Sequence, residues 1–369
     1  MNFTTTKDDL LNAVNIVQKS ISNKSTLPIL EGMLLTVNQH EIILMGTDLE
    51  IGIKTEIPGE IRNSGSVVIS AKLLSELVRK LPDDDIFFEL KDNLVVNIKC
   101  SNSNFNIQGE TGEDYPQLPE VNDENEITVN KNLFKSMIKE TIFSVAKTES
   151  IPILTGELIE AQDGIIKFIA LDGYRLALRQ GKISEKIKLK EVIPERTLQE
   201  INRISSFVQE DEISLSYTQN QILFKIGKTY IISRLLEGDF INYNQIIPQN
   251  FTTKIKMYTK ELLSSCERAA LMVRDGKNNL IKMNFNDEYL EIQSNSEMGS
   301  VREEIAIEIE GEPLKIAFNS NYFIDVLKVI GDEEIILEFT TSVSPCLIKP
   351  VEGQNYIYLI LPVRYIDHE

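Results

Sequence analysis

Apolar residues recur every three or four positions along 7–24, where Leu10, Leu11, Val14 and Val17 mark one helical face. Phe134, Ile138, Ile142 and Val145 repeat that spacing along 131–147. Elsewhere the period drops to two, as in Leu49-Glu50-Ile51-Gly52-Ile53, and turn signals such as Asp92-Asn93 and Asp163-Gly164 separate such runs. The two periods predict helices over 7–24, 70–80, 131–147, 195–203, 260–274 and 320–331, with several short strands between them.

The pattern repeats. Thr26-Leu27-Pro28-Ile29-Leu30-Glu31-Gly32 returns as Ser150-Ile151-Pro152-Ile153-Leu154-Thr155-Gly156, an offset of 124 residues. The same offset carries Asp48 in MGTDLEIGI onto Asp172 in IALDGYRLA, and Val68-Ile69-Ser70-Ala71 onto Val192-Ile193-Pro194-Glu195. GEDYPQLP (112–119) resembles GDFINYNQIIP (238–248). A fainter third copy follows: 258–273 answers 7–21 and 131–145, and 318–339 answers 69–90. Matches in one order at nearly one offset indicate duplication. Each unit reads helix, strands, helix, strands, and each helix must bury its stripe against a sheet. The expected fold is α+β, three tandem copies of a two-helix, two-sheet unit. Polar, proline-containing stretches near 119–126 and 247–252 divide it into domains 1–122, 123–248 and 249–369.

Composition narrows the class. Apolar residues make up 42% and charged residues 25%, the balance of a soluble globular protein. No run approaches the ~18 apolar residues of a membrane span, and the start lacks the pattern of a signal peptide. Cys100, Cys266 and Cys346 are odd in number and far apart, which argues for a reducing compartment without disulfides or a zinc cluster. A cytoplasmic location with no membrane partner is expected.

The net charge of −18 argues against nucleic acid until the charges are placed by element. The six predicted helices together carry +7, leaving −25 on the rest of the chain. Lys131, Lys135 and Lys139 form one stripe beside an apolar arc. A mildly basic helix layer suits a protein that holds duplex DNA as a charged rod, with few phosphate contacts and no base reading. Lys24, Lys72, Lys131, Lys135, Lys139, Lys147, Arg196 and Arg203, each in or beside a predicted helix, are the candidate DNA-facing residues.

Catalytic chemistry finds little to use. His40 falls opposite Gly164 at a hairpin tip, and His368 is penultimate. Nucleotide, nucleophile-elbow and zinc motifs are missing, and the acidic runs 83–85 and 332–334 read as solvated loops between helix and strand. No catalytic residue, metal site or cofactor is expected.

Along essentially its whole length the chain resembles the β subunit of bacterial DNA polymerase III, the sliding clamp. The resemblance is carried by FTTTKDDLLNAV, TLPILEGMLL, GTDLEI, ALDGYRLAL, NSNYFIDVLKVI and YLILPVRY; LDGYRLA and the near-terminal LPVR are the most specific. It implies a head-to-tail homodimer, a closed ring of six similar domains whose twelve helices line a DNA channel. It also implies a clamp loader that opens the ring, and polymerases and other partners that dock by short peptides. The peptide pocket it implies comprises Leu154, Leu171, Gly173, Tyr174, Arg175, Leu176 and Ile246, with Asn319, Tyr322, Val343, Leu359, Ile360, Leu361, Pro362, Val363 and Arg364. These are mostly apolar positions suited to leucine and phenylalanine side chains. Strand 100–109 resembles the family's edge strand, so Phe105 and Ile107 are expected to meet Leu271 and Met272 of the second subunit.

Several positions depart from the family pattern. Ile241 and Gln245 replace proline and a basic residue, and Pro345 replaces serine. Ile151, Pro152 and Ile153 replace DNA-touching residues, leaving Lys147 and Thr148 as contacts in that loop, and 366–369 extend past the usual end toward the pocket mouth. Two other readings compete: a peptide-binding scaffold that ignores DNA, and an enzyme built around Asp172, Tyr174 and Arg175.

Overall fold

The computed structural model describes residues 1–22, 27–119, 126–148, 150–184, 188–273, 279–297 and 299–365. Lys24, His368 and the extension 366–369 lie outside the described residues.

The first repeat runs β1 (Asn2–Thr6), α1 (Lys7–Val17), β2 (Gly32–Val37), β3 (Ile42–Thr47), β4 (Ile51–Ile57), β5 (Glu60–Asn63) and β6 (Gly65–Ser70). It closes with α2 (Ala71–Lys80), β7 (Asp85–Leu90), β8 (Val95–Cys100) and β9 (Ser103–Gln108). The second comprises β10 (Ile127–Asn130), α3 (Lys131–Thr141), β11 (Gly156–Gln162), β12 (Ile165–Leu171), β13 (Arg175–Lys182) and β14 (Leu189–Pro194). α4 (Glu195–Ile204), β15 (Glu212–Tyr217), β16 (Gln221–Ile226) and β17 (Thr229–Arg234) complete it. The third contains β18 (Thr253–Tyr258), α5 (Thr259–Leu271), β19 (Leu280–Phe285), β20 (Tyr289–Ser296), β21 (Gly299–Ala306) and β22 (Glu308–Gly311). Then follow β23 (Leu314–Asn319), α6 (Ser320–Val329), β24 (Glu334–Phe339), β25 (Cys346–Pro350) and β26 (Tyr356–Ile360).

Local chemistry sets the helix starts. Thr6 caps α1 by accepting from the Asp9 amide, Ser70 caps α2 and Asn319 caps α6. Asn130, 124 residues after Thr6, accepts from the Asn132 and Leu133 amides at the start of α3. The first and third helices end earlier than their apolar spacing predicts, at Val17 and Thr141, and each passes into a 3-10 turn. At Thr141 the hydroxyl donates back to the Met137 carbonyl, loosening the helical ladder there. α6 stops at Val329, two residues short of the predicted end.

The 124-residue offset is a structural identity. Asp48 accepts from the amides of Glu50 and Ile51; Asp172 accepts from those of Tyr174 and Arg175. Leu49 and Gly173 share a left-handed backbone, φ 76° and 90°. Leu49 and Glu50, expected to open a strand, therefore form this turn, and β4 begins at Ile51. The Asp side chain closes the turn in both copies.

Strands of different repeats share sheets. One eight-stranded sheet runs β10-β15-β16-β17-β4-β3-β2-β6, joining halves of the second and first repeats through β17 and β4. A nine-stranded sheet runs β14-β11-β12-β13-β26-β25-β24-β18-β22, joining second and third through β13 and β26. The remaining sheets, β5-β1-β7-β8-β9 and β21-β20-β19-β23, stay unjoined. The chain accordingly divides into two compact units: unit 1, residues 1–134 and 196–235, and unit 2, residues 135–195 and 236–369. No helix among the described residues is long and apolar enough to cross a membrane.

One core position breaks the apolar pattern. Glu157 on β11 is fully buried where the first repeat places the equally buried Met33, and the nearby Thr141 hydroxyl, which donates to the Met137 carbonyl, only partly offsets the cost of burying its carboxylate. Burial pushes its pKa up to about 8. The folded state therefore keeps a proton that the unfolded chain gives up above ~4.3, so stability falls as pH rises from there to about 8. Glu157→Met is expected to gain on the order of 2 kcal/mol at pH ~9 and clearly less at pH ~5. Urea unfolding at both pH values checks this; an equal gain at both would exclude the proton linkage.

Candidate peptide-binding and DNA-facing sites

In unit 2, β13 and β26 lie antiparallel with Arg175 opposite Ile360 and Leu176 opposite Leu359. Alternation along the two strands sends Leu176 and Leu359 to one face, where they join Leu154, Leu171, Leu347 and Tyr243 in a core cluster. Ile360 points the other way, into the core of the third repeat, and contributes only backbone to the cleft. Leu154, Leu171, Leu176 and Leu359 are themselves buried, so they form a floor. Leu361, half-buried, packs against this cluster and Tyr174, 61% exposed, adjoins it, whereas Val343, 66% exposed, and Ile246 are exposed and are not among the residues packed on it. Past β26 the chain is pinned: the Leu361 amide donates to the Tyr174 carbonyl at 2.8 Å, and the Val363 amide donates to the Ala317 carbonyl at 2.8 Å. Pro362 and Val363 are half-buried and Arg364 is exposed.

Arg175 is an organiser rather than a free hand. Its guanidinium donates to Asp172 at 3.0 Å, to Asp325 at 2.6 Å and to the Phe143 carbonyl at 2.5 Å, and it lies over the Tyr322 ring at 4.8 Å. Tyr174 stacks on Tyr322 with centroids 6.2 Å apart. Arg175 thus fixes the aromatic wall of the cleft through a planar, multiply bonded group. Burial, with Asp172 nearby, raises the Tyr322 pKa, keeping its hydroxyl neutral. At Gly173 a Cβ would meet nothing within 4 Å, so its role is the left-handed turn that presents Tyr174. Sequence reasoning missed Asp325 and Phe143; Asp325 lies one helical turn beyond Tyr322, and that spacing was its available signal. Asn319 caps α6, its side-chain oxygen accepting from the Asn321 amide.

The basic candidates divide into engaged and open groups. The Lys131 ammonium donates to the Val208 carbonyl at 2.7 Å. Lys147 pairs with Glu195, Arg196 with Asp48, and Arg203 with Glu200 at 2.6 Å. Lys135 is half-buried, while Lys72, Lys139 and Thr148 are exposed. Of the described cationic candidates, Lys72 and Lys139 are exposed and outside the ion pairs above.

Of the residues expected at the subunit edge, Phe105 is 40% and Leu271 50% exposed, and Met272 is half-buried. Ile107 is already buried in its own chain, because β9 turns it with Val96 toward the core. α5 is held on β21 by Arg268, which donates to Glu303 at 2.6 and 2.8 Å and lowers the Glu303 pKa.

Repeats whose strands join across shared sheets, with a buried leucine cluster beside the stacked Tyr174–Tyr322 pair, define a repeat-built α+β protein. Residues 1–119, 128–242 and 244–364 match, in order, the DNA polymerase III beta subunit N-terminal, central and C-terminal domain families. The beta sliding clamp of Staphylococcus epidermidis is 36% identical, covering 99% of both chains. A putative DNA polymerase III beta subunit from Eubacterium rectale superposes with a TM-score of 0.95 at 37% identity, over 99% of this chain and 100% of that one. The Bacillus subtilis DNA polymerase sliding clamp superposes with a TM-score of 0.96 at 34% identity, over the same shares. The chain belongs to the DNA polymerase III beta subunit family, the sliding clamps, which are non-catalytic processivity subunits.

Proposed function

We infer that two copies of this chain close head-to-tail into a ring around duplex DNA in the cytoplasm. A clamp loader opens the ring, and the replicative polymerase and other DNA-processing proteins are tethered to it by linear peptides. The three domains are 1–122, 123–248 and 249–369, and the peptides enter the cleft floored by Leu154, Leu171, Leu176 and Leu359.

The observation that carries this reading is the pair of unjoined sheets. Within the chain, β17 pairs β4 with Ile231 opposite Ile53, and β26 pairs β13 with Tyr358 opposite Ala177. By the repeat, β9 corresponds to β17 and β26, and β21 to β4 and β13. Both are free sheet edges in the chain. Such edges invite pairing, and a head-to-tail dimer would pair β9 of each copy with β21 of the other, forming two seams. The same register puts Phe105 opposite Val301 of the second copy. A Cβ at Gly299 would lie 3.7 Å from the Met272 sulfur, so Met272 sits at the β21 edge where β9 would dock.

Retention on circular DNA tests the ring. Protein loaded on nicked circles should co-elute with them and be lost when the circle is linearised. A scaffold indifferent to DNA would show neither behaviour. Lys72→Glu with Lys139→Glu should weaken loading and flatten its salt dependence by about two units of log–log slope, while peptide binding is unchanged. Loss of both functions would point to misfolding instead.

A further inference from the structure

The outer face of the eight-stranded sheet in unit 1 carries a groove of about 700 Å³, in the size range of ligand sites. Its floor includes Leu34, Met45, Leu223 and Ile232, and the segment Gln117-Leu118-Pro119 forms one wall. Leu118 reaches over Gly52, where a Cβ would lie 2.2 Å from its methyl carbon, so the missing side chain makes room for that wall.

In unit 1 Tyr115 and Leu118 pack on Leu34 and Met45, and the two units differ at the far end of this face. The matching face in unit 2 carries Leu158, Ile169, Leu178 and Ile357, and the chain covers it with Phe240, Tyr243 and Ile247. In unit 1 the counterparts of Leu178 and Ile357 are Lys54 and Tyr230. Lys225, Tyr230 and Lys54 are cross-strand neighbours on β16, β17 and β4. The Lys54 ammonium lies 4.6 Å and that of Lys225 5.7 Å from the Tyr230 ring centroid. Neither has a carboxylate partner among the described residues, whereas Lys349, the counterpart of Lys225, is paired with Glu338. Two unneutralised ammonium groups beside one aromatic ring are unusual on a chain of net charge −18, and they complement an anion.

We propose that this groove is a second docking site, which takes an extended acidic segment of a partner protein. One carboxylate of the segment rests on Lys54 in the groove lining, with the exposed Lys225 beside it across Tyr230, and a neighbouring apolar side chain enters beside Met45 and Ile232. The site is separate from the unit 2 cleft and stands whether or not that cleft binds peptides.

The probe is a fluorescein-labelled hexapeptide of alternating leucine and aspartate, titrated by anisotropy against the full chain. Lys54→Met with Lys225→Met should weaken binding at least tenfold. Lys228→Met, a nearby exposed lysine, and Leu361→Ala in the unit 2 cleft should leave it unchanged, and Lys54→Arg with Lys225→Arg should retain it. Circular dichroism and solution mass report folding. Loss in Leu361→Ala but not in the lysine double variant would place the peptide in unit 2 and overturn the proposal. Absence of binding at millimolar protein would also overturn it, as would equal binding of the leucine–lysine hexapeptide. Tighter binding of a thymidine oligonucleotide would assign the groove to nucleic acid instead.

Discussion

Leu271→Ala with Met272→Glu is expected to convert the dimer into folded monomers that cannot stay on circular DNA. Leu271 is half exposed at the end of α5, and Met272 lies against Gly299 at the open edge of β21. Neither belongs to the buried face of α5, which is built from Leu262, Cys266, Ala269 and Ala270, so the fold should survive. A carboxylate placed at the centre of a small apolar contact must be desolvated without a partner, which costs several kcal/mol on dimerisation. Sedimentation should give half the mass, with unchanged circular dichroism. A second arm tests the register: Phe105→Cys with Val301→Cys should cross-link two chains, because residues directly opposite across strands come within disulfide range. The native Cys100, Cys266 and Cys346 are buried and should not interfere. Retained dimers in the first variant, or absence of the cross-link in the second, would exclude this interface.

Removal of residues 361–369 should abolish peptide binding and polymerase stimulation while the dimer persists. The segment supplies Leu361 at the rim and two backbone bonds, to Tyr174 and Ala317, that fasten the cleft. The β9 and β21 edges are elsewhere, so ring closure does not depend on it. Apolar burial supplies most of such an affinity, at ~25 cal/mol per Å² before ordering costs. Single truncations should be graded. Leu361→Ala is expected to cost about 1–3 kcal/mol in binding with little loss of stability. Leu176→Ala should cost stability as well, about 2–5 kcal/mol, because Leu176 is a buried floor residue. Calorimetric titration of a leucine- and phenylalanine-bearing peptide, with dimer mass as control, decides the matter. Undiminished affinity in the shortened dimer would show that the cleft lies elsewhere.

The repeat and the six helices were legible in the residues themselves, and the caps that start most of those helices are equally local. These follow from local chemistry: Thr6, Ser70, Asn130 and Asn319 satisfy helix amides within three residues, and Asp48 and Asp172 close identical turns. The family resemblance also named the cleft strands. How those strands are shared between repeats emerges only from the folded chain. Each repeat looks like a self-contained unit in sequence, because alternation reports which residues are buried but not which strand lies alongside. The pairing of β17 with β4 and of β26 with β13 joins residues more than 170 positions apart, and it shows that β9 and β21, counterparts of those joined strands, remain end strands of their sheets. The partners of Arg175 were hidden for the same reason: Asp325 lies 150 residues away, and a guanidinium in a strand announces only that some acceptor must be near. Glu157 was likewise invisible as a burial problem, since a glutamate among alternating residues reads as solvent-facing until a second layer covers it.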